Sequence, residues 1–326
     1  MVQSIIGAKA APAAQGPQVQ RLVVDEGSDG QRLDNFLLRV LKGVPKTHVY
    51  RVIRSGEVRI NKGRAHADTR LALGDEVRVP PVRMAEPAPA SLPAAPAREF
   101  EILFEDEHLL AIAKPSGVAV HGGSGVAFGV IEQLRRARPE AKFLELVHRL
   151  DKETSGVLLL AKKRSALLAL QDQFRNRDTD KRYAALVVGA WPANKKVIDV
   201  ALHKTLDAQG ERHVLPVAAD HADGRRSITL VKVAKSFAAF TLLDVTLKTG
   251  RTHQIRVHLA SAGQPIVGDP KYGDFALNRQ MARGTHRFAR MFLHARQLAF
   301  DHPASGERIT LTAPLPADCE TLLQQL

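Results

Sequence analysis

The chain has 326 residues, 44% hydrophobic and 25% charged, the composition of an ordinary globular protein with room for two domains. No apolar run is long enough to cross a bilayer, which excludes a membrane-embedded protein; the single cysteine, Cys319, excludes an internal disulfide or a cysteine-based zinc site and fits a reducing cytoplasm. A net charge of +13 attracts polyanions and releases their counterions on binding, which makes nucleic acid the leading partner.

Residues 1–20 are rich in Ala, Gln and Pro, carry only Lys9 as a charge and lack the apolar segment of a secretory signal; they read as a disordered leader. A compact basic module follows at 21–80. Leu33, Phe36, Leu37 and Val40 recur at helical spacing, and Val49, Val52 and Ile53 do so within a second helix, Thr47 to Ser55, which Gly56 caps. Short strands are expected at Val58 to Ile60 and Glu76 to Val79, with turns at Asn61-Lys62-Gly63 and Leu73-Gly74-Asp75. The stretch 81–98 repeats Pro and Ala, which remove backbone donors and fix φ, so it is expected to be a semi-extended linker.

Between Arg32 and Arg64 the cations Arg39, Lys42, Lys46, Arg51, Arg54, Arg59 and Lys62 are opposed only by Asp34 and Glu57. Such a density is a nucleic-acid footprint, although a charged helix face is often only solvated surface. The Arg-Leu-Asp opening, the second basic helix, Gly56-Glu57-Val58-Arg59-Ile60-Asn61 and Gly74-Asp75 together resemble the S4 RNA-binding module over about sixty residues. That resemblance implies structured RNA as the partner, contacted by Arg32, Lys46, Arg51, Arg54 and Lys62.

From residue 99 to 326, runs of branched apolar residues at Leu109 to Ala113, Val157 to Ala161, Tyr183 to Val188, Ile228 to Val233 and Ala239 to Leu247 read as strands. Helical spacing appears at Phe128 to Arg136, Ser165 to Phe174 and His253 to Ala262. Strands joined by short turns, with no regular βαβ period, predict an α+β fold built on a mixed, largely antiparallel sheet.

The charged loop His148-Arg149-Leu150-Asp151-Lys152-Glu153-Thr154-Ser155-Gly156 runs directly into the apolar run Val157 to Ala161, which sets Asp151 at the mouth of a buried strand. An isolated aspartate there would more often cap a turn. The whole stretch, however, resembles motif II of the RluA-type pseudouridine synthases, whose catalytic aspartate stands in a His-Arg-Leu-Asp-x-x-Thr-Ser-Gly sequence. Further matches follow in order at Lys181 to Val187, Thr249-Gly250-Arg251-Thr252-His253-Gln254-Ile255-Arg256-Val257-His258, Gly268-Asp269-Pro270-Lys271-Tyr272-Gly273 and Leu293-His294-Ala295. The likeness covers essentially all of residues 99–316 and implies a cofactor-free isomerase of uridine, paired with a small α+β S4 domain.

The resemblance assigns roles. Asp151 is the reacting carboxylate; it could attack C1′ of the ribose, stabilise an oxocarbenium-like sugar, attack C6 of the base or take a proton from C2′, and these alternatives stay open here. Arg256 is expected to pair with it, Tyr183 to lie under the target uracil, and Arg149 to occupy the gap left when the nucleotide is extruded, a step costing a few kcal/mol. Arg251 is expected to contact RNA. Gly122-Gly123-Ser124-Gly125 lacks a following Gly-Lys-Ser/Thr and is not a nucleotide-binding loop; the histidines show no metal-ligand spacing, so no metal and no cofactor are expected. The implied substrate is 23S ribosomal RNA or a large-subunit precursor, acted on by a cytoplasmic monomer; the alternatives are another ribosomal or transfer RNA site, or a non-catalytic RNA-binding assembly factor.

Overall fold

The structure is a computed structural model that describes residues 18–41, 43–82, 95–123, 126–206 and 212–326. The chain divides into two compact units, one within residues 1–93 and one within 94–326. Most of the expected leader, most of the Pro/Ala stretch, Lys42 and Ser124-Gly125 lie outside the described residues. The margins of two expectations are corrected. Gln20, placed in the leader, begins a strand because β4 (below) offers it a hydrogen-bonding edge, and Arg98, placed in the linker, donates its N–H to Gln133 O.

In the first unit, β1 (Gln20–Val23), α1 (Leu33–Val40), α2 (Lys46–Arg54), β2 (Arg59–Ile60), β3 (Gly63–Arg64) and β4 (Glu76–Val79) follow one another. The strands form an antiparallel sheet in the order β1-β4-β2-β3. Leu33, Phe36 and Leu37 of α1 and Val49, Val52 and Ile53 of α2 are buried in one core with Val58 and Val77, each such side chain worth about 1.5–3 kcal/mol on burial. Helix α2 ends as Gly56 predicts. Gly56 takes φ +74°, its N–H bonds Ile53 O at 3.0 Å and Glu57 N–H bonds Val52 O at 3.1 Å, which closes a Schellman cap. Asn61 and Lys62 both have positive φ, as a two-residue hairpin between β2 and β3 requires.

The second unit contains β5 (Ile102–Glu105), β6 (Leu109–Lys114), α3 (Val130–Ala137), β7 (Glu145–Leu146), β8 (Ser155–Ala161), α4 (Arg164–Asn176), β9 (Asp180–Val188), β10 (Val197–Asp199), β11 (Ala201–Leu206), β12 (Arg212–Val217), β13 (Ile228–Ser236), β14 (Phe240–Leu247), α5 (Gln254–Ser261), α6 (Phe275–Arg283), β15 (Leu293–Asp301), β16 (Arg308–Thr312) and α7 (Ala317–Gln325). Among the described residues ten strands form one sheet, ordered β10-β13-β14-β9-β15-β8-β6-β5, with β16 added to β15 and β7 to β8. Strands β11 and β12 make a separate hairpin.

Strand β8 is buried along its whole length because both its faces are covered. Val157, Leu159 and Ala161 pack with Ala166, Leu167 and Leu170 of α4, while Leu158 and Leu160 pack with Val130, Ile131 and Leu134 of α3. In the other half of the sheet, Ala185, Leu243 and Val245 lie against Ile255 and Leu259 of α5, and Leu186 lies against Met281 of α6 and Cys319 and Leu322 of α7.

Among the described residues all pairings in this sheet are antiparallel except one, β8 with β15, where Ser155 faces His294 and Gly156 faces Ala295. That junction is tight. Gly156 has φ +117°, and a Cβ there would sit 2.2 Å from Ala295 O, so only glycine fits. Ser155 Oγ accepts from Arg290 Nη2 at 2.6 Å and lies 2.9 Å from His294 Nδ1. His294 Nε2 faces Ala313 O at 3.2 Å; a carbonyl only accepts, so Nε2 carries the proton and Nδ1 accepts from the Ser155 hydroxyl. The mouth of β8 is thereby pinned by its neighbour β15 and the residues just ahead of it.

Candidate active site

Asp151 stands in the loop just before β8, and its position is set by neighbours rather than by its own side chain. Thr154 N–H closes a turn on Asp151 O at 3.1 Å. The next two peptides are clamped by the last residue of β6 and the turn after it: Gly117 N–H and Lys114 Nζ both donate to Lys152 O, at 2.9 and 3.1 Å, and Ser116 Oγ donates to Glu153 O at 2.7 Å. Lys114 is only 1% exposed and also donates to Pro115 O and Val118 O, each at 2.8 Å. Burial pushes its ammonium down to about 7.

The Asp151 carboxylate, 19% exposed, opens into a small cleft lined by Arg149, Tyr183, Arg251, His253, Arg256, Leu247 and Leu293. Arg256 Nη1 donates to Asp151 Oδ2 at 3.2 Å. The guanidinium is fixed by a second carboxylate: Nε and Nη2 each lie 2.8 Å from an oxygen of Asp269, and the faces of Arg256 and Tyr272 meet with the guanidinium carbon 5.1 Å from the ring centre. Burial works against both charges of that pair, but their mutual hydrogen bonds outweigh it; Asp269 is held below the usual carboxylate range, helped by the N–H groups of Tyr272 and Lys271, and Arg256 above its ordinary value.

His253 takes φ +52° just ahead of α5, which turns its ring toward the cleft. Its Nδ1 lies 2.9 Å from the Tyr272 hydroxyl and its Nε2 3.8 Å from Asp151 Oδ2. The Tyr272 oxygen also accepts from Val214 N–H at 3.1 Å, which fixes the phenol beside the His253 ring. Burial pulls the His253 pKa down against the attraction of Asp151, which favours the neutral ring. Tyr183, on β9, packs between the two cores of the sheet; burial and the nearby Asp151 charge push its hydroxyl above the ordinary tyrosine value.

The structure thus brings Asp151, Tyr183 and Arg256 to one cleft, with Arg149 and Arg251 exposed at its rim. In the first unit Lys46, Arg51 and Arg54 are exposed on α2 and Lys62 is exposed at the hairpin tip. Arg32, half-exposed, bonds the buried carboxylate of Asp34 through Nε and Nη2 at 3.1 and 2.8 Å. Sequence reasoning missed Asp269, Tyr272 and Lys114 as site residues; Lys114 was signalled by a charge closing the apolar run Leu109 to Ala113. Among the described residues no group of three or more His, Cys, Asp or Glu could hold a metal ion, and no helix is long and apolar enough to cross a membrane.

Two family profiles match the chain: RNA pseudouridylate synthase over residues 108–261 and S4 domain over residues 31–77. The chain is 51% identical over 304 residues to the ribosomal large subunit pseudouridine synthase C of Yersinia pestis, covering 92% of this chain and 93% of that one. It is 48% identical over 314 residues to the protein of the same name from Escherichia coli K12, covering 95% and 97%. The chain belongs to the RNA pseudouridylate synthase family. Pseudouridylate synthases are isomerases, and this one carries an S4 domain besides. A solved human structure, RNA Pseudouridylate Synthase Domain Containing 4, shares 28% identity and a TM-score of 0.56 over 69% of this chain and 92% of its own.

Proposed function

We propose that this synthase converts specific uridines of 23S ribosomal RNA to pseudouridine, with Asp151 as the reacting carboxylate. The observation that carries the assignment is the asymmetry of that carboxylate. Arg256 holds Oδ2, while Oδ1 accepts no hydrogen bond among the described residues and is free to meet a ribose or a base. The ribosomal substrate is supported by relatives that are named for the large subunit and align over nearly their whole length.

The reaction balances without an external reagent. The N1–C1′ bond breaks with its electron pair on the uracil, the base turns, C5 bonds to C1′, the C5 proton is lost and N1 is protonated. The Asp151 carboxylate supplies negative charge or a nucleophile at the electron-poor sugar, or adds to C6 of the base; Arg256 holds it in place through Nη1. Tyr183 gives the uracil an aromatic face, and its un-ionised hydroxyl is a candidate proton carrier at C5. Arg149 enters the stack when the nucleotide leaves it. The S4 unit, residues 21–80 by its sequence pattern, docks the RNA, and the unit beginning near residue 99 performs the reaction.

The experiment is Asp151→Asn, assayed for pseudouridine on rRNA transcripts and for RNA affinity. Loss of on the order of 10³-fold or more in rate, with affinity within about threefold, is expected. Pseudouridine at an unchanged rate ends the Asp151 assignment. Mapping pseudouridines in ribosomal RNA from cells with and without the gene tests the substrate separately; an identical map ends the 23S assignment.

A further inference from the structure

The first unit contains a pocket of about 400 Å³ whose lining matches neither a solvated charged face nor a plain phosphate track. Its floor is apolar, made by Ile53 and Ala65, both buried, and Ala67. Tyr50, 38% exposed, lines it beside Arg54, Arg64, His66 and Asp68, all exposed. An apolar floor with an aromatic ring and two guanidiniums is the chemistry of a flat, anionic ligand.

The ring is held in place. Tyr50 OH donates to Asp34 Oδ2 at 3.1 Å, and Asp34, only 3% exposed, also accepts from Arg32 Nε and Nη2 at 3.1 and 2.8 Å and from Asn35 N–H at 2.8 Å. These donors and the Arg32 charge outweigh burial and keep Asp34 below the usual carboxylate range. Arg64 is positioned as well: its Nε would lie 2.6 Å from a Cβ at Gly56, so the absent side chain there gives the guanidinium room to lie along the end of α2. Arg54 and the His66 ring make no hydrogen bond among the described residues and remain available.

We propose that this pocket receives one unstacked nucleotide of the RNA, its base on the Tyr50 ring over Ile53 and Ala65, its neighbouring phosphates on Arg54 and Arg64, and its polar edge toward His66 and Asp68. The inference rests on the RNA-docking reading above and deepens it: the S4 unit selects a bulge or loop nucleotide rather than uniform duplex. The grooves of A-form RNA offer no base face to an aromatic side chain, whereas a splayed base does.

The test uses the full chain carrying Asp151→Asn, to prevent turnover, and two RNA hairpins, one fully paired and one with a single bulged adenosine. The bulged hairpin is expected to bind about 5- to 100-fold tighter, Tyr50→Phe to keep that ratio, and Tyr50→Leu to bring it near one. Arg54→Ala and Arg64→Ala should each lower the salt slope of binding by about one. In the chain with Tyr50 intact, a 5-iodocytidine at the bulge should photo-crosslink to Tyr50, a readout independent of how the Leu variant folds. Equal binding of the two hairpins, or a crosslink to Tyr183 in place of Tyr50, overturns the pocket while leaving RNA docking intact. Binding of neither hairpin removes the docking reading itself.

Discussion

Asp269 grips Arg256 with both carboxylate oxygens, Oδ2 on Nε and Oδ1 on Nη2, each at 2.8 Å. The same guanidinium meets Asp151 through Nη1, so the second carboxylate decides where the first one's partner points. Both members of the pair are nearly inaccessible, at 5% and 1% exposure.

Asp269→Asn removes the anion and leaves a buried guanidinium half-paired. Breaking such a pair costs about 3–5 kcal/mol, so a clear fall in denaturation midpoint is expected together with a lower single-turnover rate. Arg256→Lys keeps the charge but cannot bridge two carboxylates at once, and its rate is expected to fall at least about tenfold. A Lys variant as fast as the wild type would mean that charge alone, not the fork, serves Asp151.

Gly156→Ala places a methyl against the Ala295 carbonyl at a backbone angle that side chains rarely adopt. A stability loss of more than about 2 kcal/mol is expected in denaturant titration, with lost activity following from displacement of the β8 mouth. A variant that unfolds at the wild-type midpoint would show that the junction relaxes freely.

His148 links acid to stability. Its ring stacks on Phe174 with centroids 4.8 Å apart, Nε2 accepts from Leu159 N–H at 3.1 Å, and burial pushes its pKa down to about 4. Above pH 6.5 the ring is neutral in both folded and unfolded chains, and this contribution is complete. As pH falls toward 4 the unfolded chain takes up a proton that the folded one refuses, which lowers stability by up to about 3 kcal/mol. His148→Gln should therefore lose less stability than the wild type between pH 6.5 and 4; parallel curves would show that another group carries the effect.

Local pattern announced much of this architecture. Both helices of the S4 unit, the cap at Gly56, and the strands containing Leu109, Val157, Tyr183 and Phe240 follow from periodicity and turn chemistry. The motif around Asp151 located the cleft because it is long and its residues are of unusual type. What stayed hidden depends on distant partners. The Asp269 role becomes visible only when α5 brings Arg256 to it, and the chain around Leu293 disclosed a three-residue match but not the nine-residue strand β15 or its parallel register. The burial of Asp34, two residues after Arg32, is likewise a tertiary fact.

The parallel junction has a consequence for biosynthesis. Ser155 and His294 are separated by 139 positions, so a nascent chain that has already extruded Asp151 still lacks the strand that braces it. Contacts of such long sequence span form late. The brace behind Asp151 is therefore completed only after residue 294 has been made, long after the RNA-docking unit has emerged.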